Sequence, residues 1–444
     1  MQARTARIWS VIHTWTSLIS TVFLLLLCLT GLPLIFHHEI DDALGYSPQA
    51  DVRPAGAAKL SLDEISRAAL ADHPGNVMLY MGWDKDEPWM VSTFTNKTVT
   101  SDPQTTVVKA LDAYTAKPVG LLGTGPMLVM LRLHTDMYLG LPGKWFMGLM
   151  GFVFMIAIVS GVVLYWPFTR RLDFAAIRRK KSRRVWWLDW HNLLGVVTVV
   201  WALVVGGTGV LNAYAELLLG VWQRNELTAI AAPYAGQPTP TTLASLDTVL
   251  GNAMKATPGM EPAFIAFPGT PFTSTHHFAV FLRGDTPLTS RLVKPVLLDG
   301  ETGAVSSTSD LPVYLKAVLV SQPLHFGDYG GMPLKIIWAL LTVHDHRARQ
   351  WPLPLHRAPS QTTAACACHS GRGRDRTGVA MSGRMPSPQR PEWLRVFGAP
   401  IMVGVLSLAG LLSALLAGDL GRYFSWFGVG LPIAIAAWAY WRKA

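Results

Sequence analysis

The sequence predicts a membrane protein: a mainly α-helical bundle that carries two small α+β modules outside the membrane and contains a parallel internal repeat. Half of the 444 residues are hydrophobic and only 15% are charged, a composition that suits a membrane protein with sizeable soluble parts better than a soluble enzyme. Several apolar runs reach the roughly 20 residues that a helix needs to cross a bilayer. The same motifs also occur twice, in the same order, along the chain.

Three long apolar runs qualify as membrane spans, at about 8–36, 145–166 and 193–219. The first is too long for a signal peptide and has no small-residue cleavage site. A fourth run, at about 334–343, has half the needed length, and two further runs lie at about 396–417 and 424–441. The predicted segments are a first span (8–36), a first module (37–130), a second span with its preceding motif (131–168), a basic loop (169–186), a third span (187–219), a second module (220–323), a truncated fourth span (324–343), an Arg- and Pro-rich linker (344–395) and a two-span C-terminal segment (396–441).

The positive charge is concentrated beside the spans. Eight Lys and Arg residues fall between Arg170 and Arg184, and Arg4 and Arg7 precede the first span. Basic loops of this kind mark the cytoplasmic side of a membrane protein, so the net charge of +10 indicates topology and not nucleic-acid binding. We therefore expect a protein of the bacterial inner membrane with a cytoplasmic N-terminus and both modules in the periplasm.

Each module is predicted to contain one helix followed by strands. In the first module, Ser61 is expected to cap a helix within 60–74, and strands follow within 76–83, 87–95 and 106–120. In the second, a helix within 242–259 precedes strands within 263–269, 276–284 and 291–305. Both modules end in similar turns, LDAYTAKPVG and LDGETGAV, which suggests a wider duplication.

The duplication extends into the spans. LHTDMYLGLPGK at 133–144 and LHFGDYGGMPLK at 324–335 both fit L-H-x3-Y-x-G-x-P-x-K. The segments at 9–31 and 187–209 both fit W-x3-H-x16-T-G. The chain thus consists of span, module and span, twice over. Since each unit has two spans, the units are expected to be parallel and related by a pseudo-two-fold axis along the membrane normal.

The repeat singles out four histidines. His13 and His191 lie near the cytoplasmic starts of outward-running helices, whereas His134 and His325 lie at the outer starts of inward-running segments. A two-fold axis would bring the members of each pair together, giving one bis-histidine site in each half of the bilayer.

Imidazole suits haem iron, copper and zinc, but structural zinc normally takes four protein ligands. A b-type haem needs only two axial nitrogens and an apolar slot, so the four histidines are predicted to be axial ligands of the iron in two b-type haems. Duplicated interfacial histidines without a ligand are the alternative. A third-ligand or substrate role for His37 and His38 stays open, and His73, His276 and His277 are expected at the surface. Glycines that could provide the slot are Gly148, Gly151, Gly161, Gly206 and Gly207.

The chain resembles the PepSY-associated transmembrane proteins, also called iron-regulated membrane proteins, which include inner-membrane ferric-siderophore reductases. The likeness covers about 5–343 and is carried by IHTWTSLISTVFLLLLCLTGLPLIFHHEID, LHTDMYLGLPGK with IVSGVVLYWP, WLDWHNLLGV with TGVLN, and QPLHFGDYGGMPLKIIWALL. The resemblance implies PepSY-like periplasmic modules, haems held by His13, His134, His191 and His325, and an oxidoreductase activity that passes electrons to ferric siderophores or other ferric chelates.

Neither G-x-G-x-x-G after a strand nor a P-loop occurs in the sequence. The cytoplasmic electron donor, a flavoprotein or a reduced-nucleotide enzyme, is therefore expected to be a separate, unidentified partner. The main alternative function is a non-catalytic binding or regulatory protein whose PepSY-like modules act on a peptidase or sensor partner. A transporter component is the third, disfavoured because the spans lack carboxylates.

The second unit departs from the first after Val343. Where the first unit continues through WFMGLMGFVFMIAIVSGVVLYWP, the second continues as HDHRARQWPLPLHRAPSQTTAACACHSGRGRDR, which could not enter lipid. We interpret this as a reading-frame shift near codon 343, followed at Met381 by the start of a separate two-span protein. The alternative is an Arg-rich cytoplasmic linker after a short re-entrant helix. Cys366 and Cys368 lie in this stretch, and CACH is one residue short of the C-x-x-C-H pattern of covalent haem attachment.

Overall fold

The computed structural model describes residues 2–48, 57–83, 88–95, 98–99, 105–120, 125–349 and 391–442, without the side chains of 344–349. The segment 350–390, which holds most of the predicted linker, lies outside the described residues. Within the described ranges the chain forms a helical bundle with one antiparallel sheet at one end.

In the part of the chain that the structure describes, five helices are long and apolar enough to cross a membrane. They are α1 (Ala3–Leu34), α5 (Leu141–Thr169), α6 (Arg183–Ala213), α12 (Glu392–Leu416) and α13 (Gly418–Trp441). The helix α11 (Gly331–Arg349) has a shorter apolar part, Gly331–Val343, and its backbone continues as a helix to Arg349. The protein is therefore a membrane protein with five candidate spans and one shortened helix.

Short helices connect the spans to the sheet. They are α2 (His37–Leu44), α4 (Pro126–Thr135), α7 (Ala215–Trp222), α8 (Thr228–Ala231) and α10 (Val313–Phe326), with a π-helical turn at Gln223–Leu227 and a 3₁₀ turn at Ala232–Tyr234. Two further helices, α3 (Leu62–Leu70) and α9 (Leu246–Ala256), belong to the sheet domain.

The two predicted modules form one continuous sheet. Its strands are β1 (Val77–Trp83), β2 (Trp89–Thr95), β3 (Val107–Asp112), β4 (Pro118–Gly120), β5 (Glu261–Ala266), β6 (His277–Arg283), β7 (Lys294–Asp299) and β8 (Val305–Ser307). Their order is β4-β3-β2-β1-β5-β6-β7-β8, and β1 pairs with β5 antiparallel, with Tyr80 opposite Ala266 and Gly82 opposite Phe264. The expectation of two separate modules is therefore corrected: their inner strands hydrogen-bond to each other, which leaves fewer exposed strand edges.

One hydrophobic core lies under both halves of this sheet. The helices α3 and α9 lie on the same face and contribute Ile65 and Val249, both fully buried. Phe94 from β2 and Phe278 from β6 belong to the same cluster. Because neither half buries its apolar face alone, the sheet domain is one folding unit.

The N-termini of α3 and α9 cap each other. Asp63 accepts hydrogen bonds from the Ser245 hydroxyl and from the Leu246 backbone N–H, the latter at 3.0 Å. Asp247 in turn accepts from the Leu62 N–H at 3.2 Å. The first N–H groups of a helix have no partner within the helix, so each carboxylate satisfies donors of the opposite helix. The repeated Ser-Leu-Asp at 61–63 and 245–247 is the sequence signal of this arrangement.

Replacing Asp63 by alanine is expected to lower the free energy of unfolding of the sheet domain by about 1 kcal/mol, the usual cost of a lost cap. Asp247→Ala should cost less, because one hydrogen bond is lost instead of two. Hydrogen exchange at the first turn of α9 measures the effect. Asp72→Ala is the control, since the Asp72 side chain is 82% exposed and pairs only with Lys109 at the surface. Equal protection in Asp63→Ala and Asp72→Ala would contradict the capping role.

The C-terminal hairpin α12–α13 packs on the second half of the bundle. The Tyr329 hydroxyl donates to the Leu411 carbonyl at 3.0 Å, and the Trp426 Nε1–H donates to the Gly330 carbonyl at 2.8 Å. At the opposite end Arg395 donates to the Arg170 carbonyl. Whatever its coding origin, this segment is docked on α6 and α11 and is not detached from the bundle.

Candidate functional site: two facing histidine pairs

The four repeat histidines meet in two pairs. The loop-end pair is His13 with His191, whose ring centroids are 6.2 Å apart at an interplanar angle of 62°. The sheet-end pair is His134 with His325, at 6.1 Å and 64°. The sheet-end pair is level with Gly31 of α1, which His134 contacts. Eighteen residues separate Gly31 from His13, which corresponds to roughly 27 Å along the helix. The two pairs therefore lie near opposite ends of the bundle.

Three of these rings have a defined tautomer. His13 Nδ1 lies 3.0 Å from the Ala157 carbonyl, and His325 Nδ1 lies 3.0 Å from the Val205 carbonyl. A carbonyl oxygen only accepts, so both Nδ1 atoms carry the proton. His134 Nδ1 lies 3.0 Å from the Thr30 hydroxyl, which already donates to the Leu26 carbonyl and therefore accepts from the ring. In each neutral ring this leaves the lone pair on Nε2.

The Thr-Gly of the repeated motif holds the sheet-end rings. A Cβ atom on Gly31 would lie 3.0 Å from His134 Cε1, and a Cβ atom on Gly209 would lie 3.0 Å from His325 Cε1. Thr30 and Thr208 stand beside these glycines, and Thr208 Oγ1 lies 3.4 Å from His325 Nδ1. The spacing H-x16-T-G therefore links one histidine pair to the residues that seat the other. The sequence showed this motif but not its role.

The ring of His13 is seated by α5 in a similar way. Ser160 Oγ lies 3.1 Å from His13 Nδ1, and a Cβ atom on Gly161 would lie 3.1 Å from His13 Cε1. By the repeat offset, the residues of the second unit that correspond to Ser160 and Gly161 are Trp351 and Pro352, outside the described residues. The two units therefore differ in sequence at this seat.

The sheet-end histidines are not at the starts of spans, as the sequence suggested, but at the ends of the preceding short helices. His134 lies in the last turn of α4 and His325 in the last turn of α10. After His134 the chain turns through Met137 and Tyr138, both with positive φ. Asp136 Oδ1 accepts from the Tyr138 N–H at 2.8 Å. The turn ends α4 before α5 begins. His134 therefore lies on a separate short helix, and its ring points to the bundle interior.

The glycines expected to open a slot mostly serve helix packing. A Cβ atom on Gly148 would meet Tyr214 at 2.8 Å, one on Gly151 would meet Val210 at 3.0 Å, and one on Gly206 would meet Phe154 at 3.1 Å. These three glycines therefore let α5 and α6 approach closely, and Gly207 faces Met155 across the same contact. Gly161 alone of the five faces an imidazole. The expectation of a glycine-lined slot between α5 and α6 is wrong.

The donor set nevertheless fits a metal held from two sides. Two imidazoles that bind one ion from opposite sides, with metal–nitrogen distances of about 2 Å, place their ring centroids roughly 6 Å apart. The observed centroid distances are 6.2 and 6.1 Å. A ligating histidine also typically donates its other N–H to a carbonyl or similar acceptor, as His13, His134 and His325 do here. The residues present therefore fit a haem iron, which His13 with His191 and His134 with His325 would hold.

Two ion pairs cross between the units on the sheet side, and sequence inspection missed both. Lys144, the last residue of the first L-H-x3-Y motif, donates to Glu216 at 2.5 Å. Lys335, its counterpart in the second motif, donates to Glu39 at 2.6 Å. The motif lysine of each unit thus binds the helix that follows the first span of the other unit. These contacts hold the two halves together beside the sheet-end pair.

Other histidines lie away from the two pairs. His277 is fully buried and its Nδ1 lies 2.6 Å from the Ser274 hydroxyl, which corrects its expected place at the surface. Burial lowers the pKa of His277. His276 Nε2 lies 3.2 Å from the Pro238 carbonyl, and His73 packs on Phe94. These three histidines belong to the sheet domain.

The sequence pattern described as the PepSY-associated TM region matches residues 10–344. The chain belongs to this family. The family match contains both histidine pairs and ends next to Val343, where the second unit departs from the first. An uncharacterized protein of Pseudomonas aeruginosa is 29% identical over 216 residues, which make up 45% of this chain and 54% of that protein. The matched part thus spans about half the length of this relative.

Replacing Gly31 by alanine is expected to displace the His134 ring by a few tenths of an ångström and to weaken the binding of any ligand held by the sheet-end pair. Gly195→Ala in α6 is the matched control, because a Cβ atom there would meet nothing within 4 Å. That control should keep wild-type binding and gain up to about 1 kcal/mol of helix stability. Haem content per polypeptide, read from the pyridine haemochrome, compares the two. Equal haem content in both variants would contradict the seating role of Gly31.

Proposed function

We propose that this protein is an inner-membrane b-type haem protein that carries electrons across the membrane and reduces ferric chelates, such as ferric siderophores, on the periplasmic side. The observation that carries this proposal is that two imidazoles face each other at each of two places, near opposite ends of one bundle. Membership of the PepSY-associated TM family supports it. A parallel internal repeat explains why both pairs have nearly equal geometry.

The histidines and their neighbours have separate tasks in this proposal. A haem iron bound between two imidazoles supplies one-electron redox chemistry. The protein fixes the ring orientation through Ala157, Val205 and Thr30, and keeps Nε2 available as ligand. The apolar side chains of the spans exclude water around both pairs. The ion pairs of Lys144 and Lys335 keep the two halves in register, so that the distance between the pairs stays constant.

Charge supports the proposed orientation. The loop between α5 and α6 exposes Arg170, Arg179, Lys180 and Lys181 to solvent, and a cytoplasmic loop is enriched in such residues. In this orientation the loop-end pair receives electrons from the cytoplasmic donor. The sheet-end pair then lies on the periplasmic side, close to the sheet domain and to arriving ferric chelates.

The shortened α11 affects whether this chain retains both histidine sites. His325 precedes the sequence break and its contacts to Val205 and Thr208 are complete. The residues that would seat His191, by analogy with Ser160 and Gly161, fall after the break. We therefore propose that the sheet-end site is retained even if the frame-shift hypothesis is correct. Resequencing the coding DNA around codon 343 tests the frame-shift hypothesis. The hypothesis is wrong if neither alternative reading frame encodes a continuation of the apolar helix.

The test of the proposed function is spectroscopic. Purified protein should show a dithionite-reducible b-type spectrum with two haems per polypeptide. Under anaerobic conditions, ferric siderophores added to the reduced protein should reoxidise it. A colourless protein that retains its fold would overturn the proposal and favour a non-catalytic PepSY-type binding protein that acts on a peptidase or sensor partner.

A further inference from the structure

Two histidines outside the paired sites stand at the sheet end of α1. His37 and His38 open α2, and their ring centroids lie 4.1 Å apart at a tilt of 35°. His37 Nδ1 lies 2.9 Å from the Leu34 carbonyl, so it carries the proton and the lone pair remains on Nε2. His37 thus has the same tautomer as the three histidines assigned above.

The position of α2 relates these histidines to the sheet-end pair. The helix α2 packs against α4, which carries His134. Glu39 binds Lys335 at 2.6 Å, ten residues after His325. Six residues separate Gly31, which contacts His134, from His37, which corresponds to roughly 9 Å along a helix. The two tilted histidine rings therefore lie on the order of 10 Å from the sheet-end pair, on the side of the sheet domain.

We propose that His37 and His38 form a binding site for an open-coordination transition-metal ion, of which Cu(II) is the type, next to the sheet-end pair. Two imidazoles that bind one ion side by side, at about 2 Å each, bring their ring centroids to roughly 4.5 Å. The observed 4.1 Å requires an opening of only a few tenths of an ångström. Imidazole is a preferred ligand of Cu(II). Among the residues that the structure describes, no third metal-ligating side chain completes the site, so water or a small chelator fills the remaining positions.

The surroundings favour a cation. The helix reads HHEIDD, and Glu39, Asp41 and Asp42 place three carboxylates within one turn of the rings. Glu39 Oε2 and Asp41 Oδ1 are buried without a hydrogen-bond partner, so negative potential there is only partly compensated.

The redox consequence rests on the proposed function, whereas the binding does not. A haem held by His134 and His325 would supply one electron, which would reduce one Cu(II) held by His37 and His38 to Cu(I) and leave the haem iron in the ferric state. No atom or proton is transferred. A hexadentate ferric siderophore leaves no iron position open for imidazole, so this site adds a second class of acceptor, the weakly chelated metal ion.

The experiment uses tag-free, full-length protein in detergent and a non-coordinating buffer, with one equivalent of CuCl2 as the probe. Electron paramagnetic resonance should show two-nitrogen coupling. His37→Ala and His38→Ala should each raise the Cu(II) dissociation constant roughly tenfold or more. His276→Ala is the matched control, because it also belongs to an adjacent histidine pair but binds the Pro238 carbonyl. Unchanged affinity in both α2 variants, or loss of the two-nitrogen signal in His276→Ala, would overturn the inference.

A second measurement separates this inference from the proposed function. Stopped-flow mixing of the reduced protein with Cu(II) should show reoxidation that slows in His37→Ala, while the haem spectrum stays unchanged. Histidine-dependent Cu(II) binding in a protein without haem overturns the proposed function but supports the site. Reoxidation at the wild-type rate in both α2 variants overturns the acceptor role of the site.

Discussion

If the histidine pairs hold haem as proposed, replacing His134 by alanine is expected to remove one of two haems and to abolish electron transfer to ferric chelates. The ring of His134 faces His325 at a centroid distance of 6.1 Å, so its loss leaves one axial nitrogen at that position. The loop-end pair is roughly 27 Å away along α1 and should keep its own haem. The absorbance of the reduced α-band, normalised to protein, should fall by half.

His13→Ala is the complementary variant. It should also halve the absorbance, but through the loop-end pair, so that dithionite still reduces the remaining haem and ferric chelates still reoxidise it. Reduction by the natural donor from the cytoplasmic side should be lost. His276→Ala controls for removal of a histidine outside both pairs. Two haems retained in both His134→Ala and His13→Ala would show that these residues are not the ligands.

Replacing Arg178 by alanine is expected to lower the free energy of unfolding by about 2–3 kcal/mol, the largest effect outside the histidine pairs. Asp189 lies two residues before His191, and its side chain is 1% exposed. It accepts from Arg178 through the backbone N–H, Nε and Nη2, at 2.9, 3.0 and 2.6 Å. Without the guanidinium the carboxylate stays buried with one remaining donor. Because Arg178 is partly exposed, the expected loss of free energy of unfolding is smaller than for a fully buried ion pair.

Thermal unfolding in detergent measures this effect, and two further variants define it. Lys180→Ala removes an exposed cation of the same loop and should change stability by less than about 0.5 kcal/mol. The double variant Arg178→Ala with Asp189→Asn should recover part of the loss, because the buried charge is removed as well. A loss of stability in Lys180→Ala as large as that in Arg178→Ala would indicate a general effect of the charge of the loop.

Local patterns predicted the elements of this fold well. The spans follow from apolar runs, and the helix that starts after Ser61 has Ser61 as its cap, as expected, with Glu64 completing a capping box. The pairing of β1 with β5 could not be predicted, since both strands have ordinary alternating patterns and nothing in either one specifies its neighbour. The repeated Ser-Leu-Asp was a usable signal, because two equivalent helix starts related by a two-fold axis can exchange their caps.

The candidate site was predictable in its residues but not in its surroundings. The duplication identified His13, His134, His191 and His325, and the structure brings them together in the expected pairs. Whether they bind haem iron stays a prediction. The role of Thr30 and Gly31 was missed because a Thr-Gly step in a span has many uses. The glycines between α5 and α6 were misassigned for the same reason: a small residue permits close approach without specifying what approaches.

The continuous ladder across β1 and β5 also limits the motions available to the bundle. Tyr80, Met81 and Gly82 pair with residues of the other repeat unit, and Lys144 and Lys335 bind across the same boundary. A rocking movement of one half against the other would have to shear this ladder, break both ion pairs and separate the shared core. Alternating access, the usual working cycle of transporters built from repeats, is therefore strongly opposed. The architecture behaves as a stiff frame, suited to a function that requires no movement of one half against the other.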